Sequence, residues 1–345
     1  MKFGPIPENA LESLALKLGK VPTPVLDVLF GPIKARVVMA SVKLGIVDAL
    51  AKAPSTASQL AAALQLNEDC LEMLLRVLVH CGYLDWNGER FSLSSLARRT
   101  LAPGAPMDRR GYVEWNYTQW EILGHLEEVM RSGSGIDLHE TLRDPGAWRS
   151  YQRGMMENAR DHAAFLAAKV PVPKGARSLI DLGGSHGLLG AAICRRHPPM
   201  RSTVFDLEAA VAPARELAKA EGIDDLVRHQ AADILNDDLG DGHDVALLAN
   251  VLHHFTPGQN SVLLKQVRGT LRTGGTVAIW EFERPKPDAK VSSGDIAALY
   301  FRLTSTASAY HGDQYGAWLQ ASDFHDIRVH RPALVPGYVL VSAKA

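Results

Sequence analysis

Residues 178–187 read Ser178-Leu179-Ile180-Asp181-Leu182-Gly183-Gly184-Ser185-His186-Gly187. A short apolar run before a glycine cluster is a buried strand, the glycines permit a tight turn, and 188–197 continues at helical spacing. Strand, glycine turn and helix in that order open a βαβ unit. The alternation continues through a strand at 202–205, a helix at 209–221, a short strand near 227–229, a strand at 245–249, a helix at 257–271 and a strand at 276–280. It predicts an α/β, doubly wound, mostly parallel sheet. Segments 327–330 and 338–341, joined by a short Pro- and Gly-containing link, predict an antiparallel hairpin that brings the sheet to seven strands.

Upstream, the texture is helical. Val37, Val38, Ala40, Ser41, Leu44 and Val47 recur at helical spacing over 35–50, and Pro54-Ser55-Thr56 ends the pattern. A short helix fits 58–63, and a third runs from Asn67, a capping residue, to His80 with Leu71, Leu74, Leu75 and Leu78 on one face. Segments 83–86 and 90–93 read as strands joined through Asn87-Gly88, for which a type I′ turn is expected. Three helices and a hairpin make a winged helix, whose third helix often enters a DNA major groove. Here that helix carries Glu68, Asp69 and Glu72 against Arg76, so phosphates would repel it, and dimerisation or scaffolding is the better reading. Between 107 and 174 lie further helices rich in aromatic residues, among them Tyr112, Trp115, Tyr117, Trp120, Trp148 and Tyr151. They suit either packing between domains or the walls of a substrate pocket. The expected divisions are 1–104, 105–174 as linking helices and substrate cap, and 175–345.

The chain has 345 residues, 46% hydrophobic and 22% charged, which excludes disordered and fibrous classes. A formal net charge of −1 gives no electrostatic footprint for nucleic acid. The stretch Met1 to Pro7 has no apolar core of a signal peptide and no later run is long enough to span a bilayer, so the expectation is a cytoplasmic chain without a membrane partner. Cys70, Cys81 and Cys194 lack Cys-x-x-Cys spacing and read as inert thiols.

In an open parallel sheet, ligands bind beyond the carboxyl ends of the strands. After the first strand stands the loop of Gly183, Gly184 and Gly187, which departs from the dinucleotide fingerprint and lacks the Lys-Ser/Thr end of a Walker loop. After the second stands Asp206, placed to accept from two ribose hydroxyls; after the third, Asp233 can reach an exocyclic amine. Together they describe an adenosyl site without phosphate recognition.

In these residues the chain resembles the class I S-adenosylmethionine-dependent small-molecule O-methyltransferases, of plant caffeate type and their bacterial natural-product relatives. The resemblance covers nearly the whole chain: the winged helix, Tyr151-Gln152-Arg153-Gly154-Met155, the Asp-x-Gly-Gly loop, Phe205-Asp206-Leu207, Asp233, Asn250-Val251-Leu252-His253, Gly274-Gly275 and Glu281. It implies a Rossmann-like methyltransferase domain, an N-terminal winged-helix dimerisation domain, a homodimer, S-adenosylmethionine as cofactor and a small-molecule acceptor, aromatic or polyketide-like, in secondary metabolism. It implies cofactor contacts from Asp181, Gly183, Gly184, Gly187, Asp206, Leu207, Asp233, Ile234 and Asn250. His253 matches the general base, and imidazole, which ordinarily titrates at about 6.5, suits that task near neutrality; Glu281 would hold its other nitrogen. Trp115, Trp120, Met155, His254 and His311 are the expected substrate-pocket residues. Four departures leave C- or N-methylation and non-methylating chemistry open: Ser185 for a glycine, Ala249 for a frequent Lys or Arg, His254 for an Asp, and no clear third acid among Ala309, His311 and Asp313. A metal on His253, His254 and His311 is an alternative that adjacent, divergent side chains disfavour, and none is expected.

Overall fold

In the computed structural model, residues 4–333 and 335–345 are described, so the first three residues of the N-terminal stretch lie outside them. The chain forms two compact units, Met1–Tyr117 and Thr118–Ala345. No helix among the described residues is long and apolar enough to cross a membrane.

The first unit contains α1 (Ala10–Lys17), α2 (Thr23–Lys43), α3 (Ile46–Lys52), α4 (Ala57–Leu64), α5 (Glu68–His80), the strands β1 (Leu84–Trp86) and β2 (Phe91–Leu93), and α6 (Ser95–Thr100). The single helix expected over 35–50 is in fact two. Gly45 adopts φ +73°, a left-handed conformation that interrupts the helical run and starts α3 in a new direction. Asn67 caps α5 as expected, accepting from the amide of Cys70. The hairpin also forms, but without a type I′ turn. Trp86 pairs with Phe91, so four residues make the loop, and Asn87 lies outside the positive-φ region that type I′ requires. Its side chain instead accepts from the amides of Glu89 and Arg90. Leu71, Leu75, Leu78, Leu84, Phe91 and Leu93 close the core of this unit.

The helix α7 (Arg110–Leu123) crosses the division between the units, and α8 (Leu126–Ser132) and the long α9 (Pro145–Lys169) follow it. The remainder is the alternating domain: β3 (Ser178–Leu182), α10 (Leu188–Arg196), β4 (Arg201–Asp206), α11 (Glu208–Ala220), β5 (Val227–Ala231), β6 (His243–Ala249), α12 (Pro257–Thr270), β7 (Leu271–Phe282), α13 (Ser293–Leu303), α14 (Gly312–Ala321), β8 (His325–His330) and β9 (Tyr338–Lys344). Its seven strands lie in the order β5-β4-β3-β6-β7-β9-β8. β3 pairs in parallel with β4 on one side and β6 on the other, so strand order reverses at the glycine loop. β9 runs antiparallel to β7 and β8 antiparallel to β9, the hairpin expected from the sequence. Strands covered on both faces must be apolar throughout, and Leu179, Ile180, Val245, Ala246, Leu247, Val277 and Ile279 are fully buried.

α10 packs so closely on the sheet that Gly190 has no room for a side chain. A Cβ there would lie 2.6 Å from Ser202 Oγ and 2.9 Å from Asp181 Oδ2. Gly190→Ala is therefore expected to destabilise the alternating domain by about 1–3 kcal/mol through overpacking. An unchanged urea unfolding midpoint would contradict this packing.

Candidate active site

The strand ends open onto a cavity of about 220 Å³, lined by residues of the second unit alone. The segments after β3, β4, β5 and β6, the α8–α9 region and residues 305–306 after α13 build it.

The glycine loop is the first. Gly183 has φ +64°, and a Cβ on it would meet Val251 Cγ2 at 2.6 Å; one on Gly184 would meet the Asp181 carboxyl carbon at 2.4 Å. The backbone thus approaches both β6 and the floor of the cavity closer than any side chain allows. Ser185, which stands where the resembling family has glycine, nevertheless takes φ +49°. Two contacts clamp it in that disfavoured conformation. Its amide donates to Asp206 Oδ2 at 2.8 Å, and its carbonyl accepts from His229 Nε2 at 3.0 Å.

Asp206 ends β4. One carboxylate oxygen takes the Ser185 amide and the other the Leu207 amide, at 2.8 Å each, leaving lone pairs toward the cavity. Burial pushes its carboxyl up to about 6 against those two amides, which favour the charged form. Asp233 follows β5, is exposed on the cavity, and is held by the Leu235 amide and the Asn236 side chain. Beneath the loop, Asp181 is fully enclosed, and burial pushes it up to about 7, with Asp206 adding to the rise and the Gly190 amide opposing it.

The last of these strand-end loops follows β6. Asn250 has φ +53°, donates its amide to the Trp280 carbonyl, and keeps its buried Oδ1 without a protein partner. Then comes a 3-10 turn, Leu252–His254. Its shape is set by Glu281, whose Oε1 accepts from the amides of Val251 at 2.7 Å and Leu252 at 2.6 Å, and whose Oε2 lies 2.8 Å from His253 Nδ1. A carboxylate already taking two amides accepts here too, so Nδ1 carries the proton and Nε2 the lone pair. Ser305 Oγ fixes the turn from the other side by donating to the His253 carbonyl at 2.9 Å.

Gly183, Asp206, Leu207, Asp233, Ile234, Asn250 and His254 line the cavity, as do Trp148 and Tyr151 from α9. Asp181, Gly184 and Gly187 support the loop from behind. His253 and Glu281 are buried, 2% and 0% exposed, and are not among the lining residues, whereas the neighbouring His254 is. The expected pocket residues Trp115, Trp120, Met155 and His311 are not on the wall. Trp115 and Trp120 are five residues apart on α7, about 140° around the helix, so they cannot face one ligand. Trp115 is buried in the first unit and Trp120 is exposed. His311 begins α14, its amide donating to Gln314 Oε1. Asp313 pairs with Lys286 at the surface instead of serving as a third acid.

Asp137, His139, Ser305 and Thr306 were not anticipated, for they carry no motif and reach the cavity from remote parts of the chain. His139 stacks on Trp148 at 5.7 Å and 6°, and sits 4.7 Å from His254, which is 4.2 Å from His253. Burial, then its imidazole neighbours, holds His254 well below the ordinary imidazole range. Burial likewise lowers His139, with Asp137 opposing and His253 assisting. His311 is not among this group, and no metal-holding cluster occurs among the described residues.

A loop with no space for Cβ atoms, an orphaned amide oxygen on Asn250, and acids after β4 and β5 suit an adenosyl group bearing hydroxyls and an amine. The O-methyltransferase domain model matches residues 122–323, and the O-methyltransferase dimerisation domain model matches residues 26–103. The chain is similar to the 3-hydroxy-5-methyl-1-naphthoate 3-O-methyltransferase of Streptomyces sahachiroi, 28% identical over 316 residues, 90% of this chain and 91% of that one. It is 29% identical over 257 residues to the mitomycin biosynthesis 6-O-methyltransferase of Streptomyces lavendulae, 71% of this chain and 73% of that one. Its fold matches that of human N-acetylserotonin methyltransferase in complex with SAM, with a TM-score of 0.82, 20% identity and 98% of each chain covered.

The raised Asp181 has a measurable consequence. Between the ordinary 3.8 and about 7 the folded chain keeps a proton that the unfolded chain has released, so stability falls as pH rises through that window. Asp181→Asn removes this contribution. The difference in denaturation midpoint between wild type and variant should shift in the variant's favour from pH 4 to 7 and level off above; a constant difference would refute the raised value.

Proposed function

Because the chain belongs to the O-methyltransferase domain family, we propose that it transfers a methyl group from S-adenosylmethionine to a hydroxyl of a small aromatic or polyketide-like acceptor, with His253 as general base. The observation that carries this reading is the His253–Glu281 pair beside the cavity, 2.8 Å apart and withdrawn from water. When bound, S-adenosylmethionine supplies an electrophilic methyl on a sulfonium, so the protein has only to align the partners and take up a proton. Asp206 and Asp233 would hold the ribose and adenine ends, Asn250 and the glycine loop the rest. Glu281 fixes the tautomer of His253, leaving Nε2 to accept the proton of the acceptor hydroxyl and then carry a positive charge that the buried carboxylate stabilises. Trp148, Tyr151 and Phe255 offer aromatic walls to a flat acceptor.

His254 is the second reading for the base, because it lines the cavity where His253 does not. Its depressed basicity and lack of an orienting carboxylate count against it.

A homodimer through the first unit belongs to the same proposal. α1 and α2 leave Leu11, Leu14, Leu18, Val25, Val28, Leu29, Phe30 and Ile33 exposed, and a row of large apolar side chains on adjoining helices suits burial against a second copy. Leu29→Asp with Phe30→Asp should shift sedimentation from dimer to monomer; an unaltered dimer would place the interface elsewhere.

Methyl transfer is tested by incubating the protein with labelled S-adenosylmethionine and a panel of phenols, carboxylates and carbon acids. With the acceptor so found, His253→Ala should keep cofactor affinity while slowing single turnover by about 10²–10⁴-fold, and Glu281→Gln should cost less. If His254→Ala is the slower variant, the base assignment passes to His254; if acceptor is transformed without cofactor consumption, the reaction is not methyl transfer.

A further inference from the structure

The acceptor side of the cavity carries three imidazoles and no cation. His139 and His254 line it directly, with His253 behind, and no Lys or Arg is among the described lining residues. Asp137, next but one to His139, lines the cavity as well, while Asp206 and Asp233 line it at the end assigned to the ribose and adenine. An acceptor bearing a carboxylate would bring a negative charge near Asp137 and find no protein cation to pair with, a burial that proteins avoid. Burial keeps both lining imidazoles neutral, and a neutral imidazole offers one N–H donor and one lone pair. Among the described residues neither ring nitrogen of His254 has a protein hydrogen-bond partner. His139 has Asp137 near its Nδ1, at 3.8 Å. A donor thus stands at position 254, next to the residue that would take the acceptor's proton.

We propose that His254, with His139 beside it, selects an uncharged acceptor in which the reacting hydroxyl neighbours a second, hydrogen-bond-accepting oxygen such as an ester or ketone carbonyl, and that the cavity rejects the corresponding carboxylate. The inference rests on this cavity being the methyl-transfer site. With the hydroxyl directed to His253, an oxygen on the adjacent carbon lies toward the next imidazole, His254, whose N–H it would accept. The flat ring system would lie against Trp148, which His139 already parallels within 6°. His254 thereby acts as a positioning and specificity residue, distinct from the base.

The test uses calorimetry on the full chain saturated with S-adenosylhomocysteine, with three probes: 3-hydroxy-2-naphthoate, its methyl ester, and 2-naphthol. The acid and ester differ in charge at one group, and 2-naphthol lacks the neighbouring oxygen altogether. The ester should bind about tenfold or more tightly than the acid, and about fivefold more tightly than 2-naphthol. In His254→Phe, which keeps the ring and removes the donor, the ester's advantage over 2-naphthol should shrink to within about twofold, with S-adenosylhomocysteine affinity reporting that the variant is folded. The wild-type comparison of acid with ester stands even if that variant fails to fold. Equal binding of acid and ester, an undiminished ester advantage in both His254→Phe and His139→Phe, or no binding of any probe to the saturated protein would overturn the inference. Failure of S-adenosylhomocysteine itself to bind would sink the proposed function first, and this inference with it.

Discussion

Glu281 is the constraint on which the site depends. Its carboxylate is fully buried at the end of β7 and receives three donors from the loop after β6: the amides of Val251 and Leu252 and Nδ1 of His253. Removing a charge from water is tolerable only when its lone pairs are met, and here the loop meets them by folding into a 3-10 turn. The same act orients an imidazole and fixes its tautomer. Parallel pairing of β6 with β7, which sets Ala249 beside Trp280, brings the two strand ends together so that one residue can do this.

Around that centre the cavity follows a single electrostatic theme. Acids stand after β4 and β5, the Ser185 amide of the glycine loop donates to Asp206, and further along the wall stand the imidazoles of His139 and His254, which burial keeps uncharged. Tyr151, whose phenol burial and then Asp206 push upward, stays neutral and adds a polar wall without adding charge.

Close packing explains the glycine pattern better than turn geometry alone. Gly183, Gly184 and Gly190 each lack space for one carbon, against Val251, Asp181 and Ser202 respectively. Ser185, the non-glycine of the group, shows the converse: it has room, and its unfavourable φ is held by two hydrogen bonds.

The strands, their alternation with helices and the closing hairpin were legible in the sequence, because each depends on local periodicity; Gly183, Asp206 and Asp233, read from positions just after strands, and Asn250, implied by the resemblance, all line the cavity. The break at Gly45 and the four-residue hairpin loop were not, since helical spacing continues across that glycine and Asn-Gly fits more than one turn. The acceptor side was the least legible. Trp115 and Trp120, five residues apart on α7, point apart, whereas His139 and His254, 115 positions apart in the chain by their numbers, lie with ring centroids 4.7 Å apart. Sequence by itself determined the sheet and the strand-end residues that line one part of the cavity, because those follow from local backbone order. Only the tertiary structure decided which side chains wall the other half, because that depends on how remote helices and loops pack over the strand ends, and packing leaves no period in the sequence.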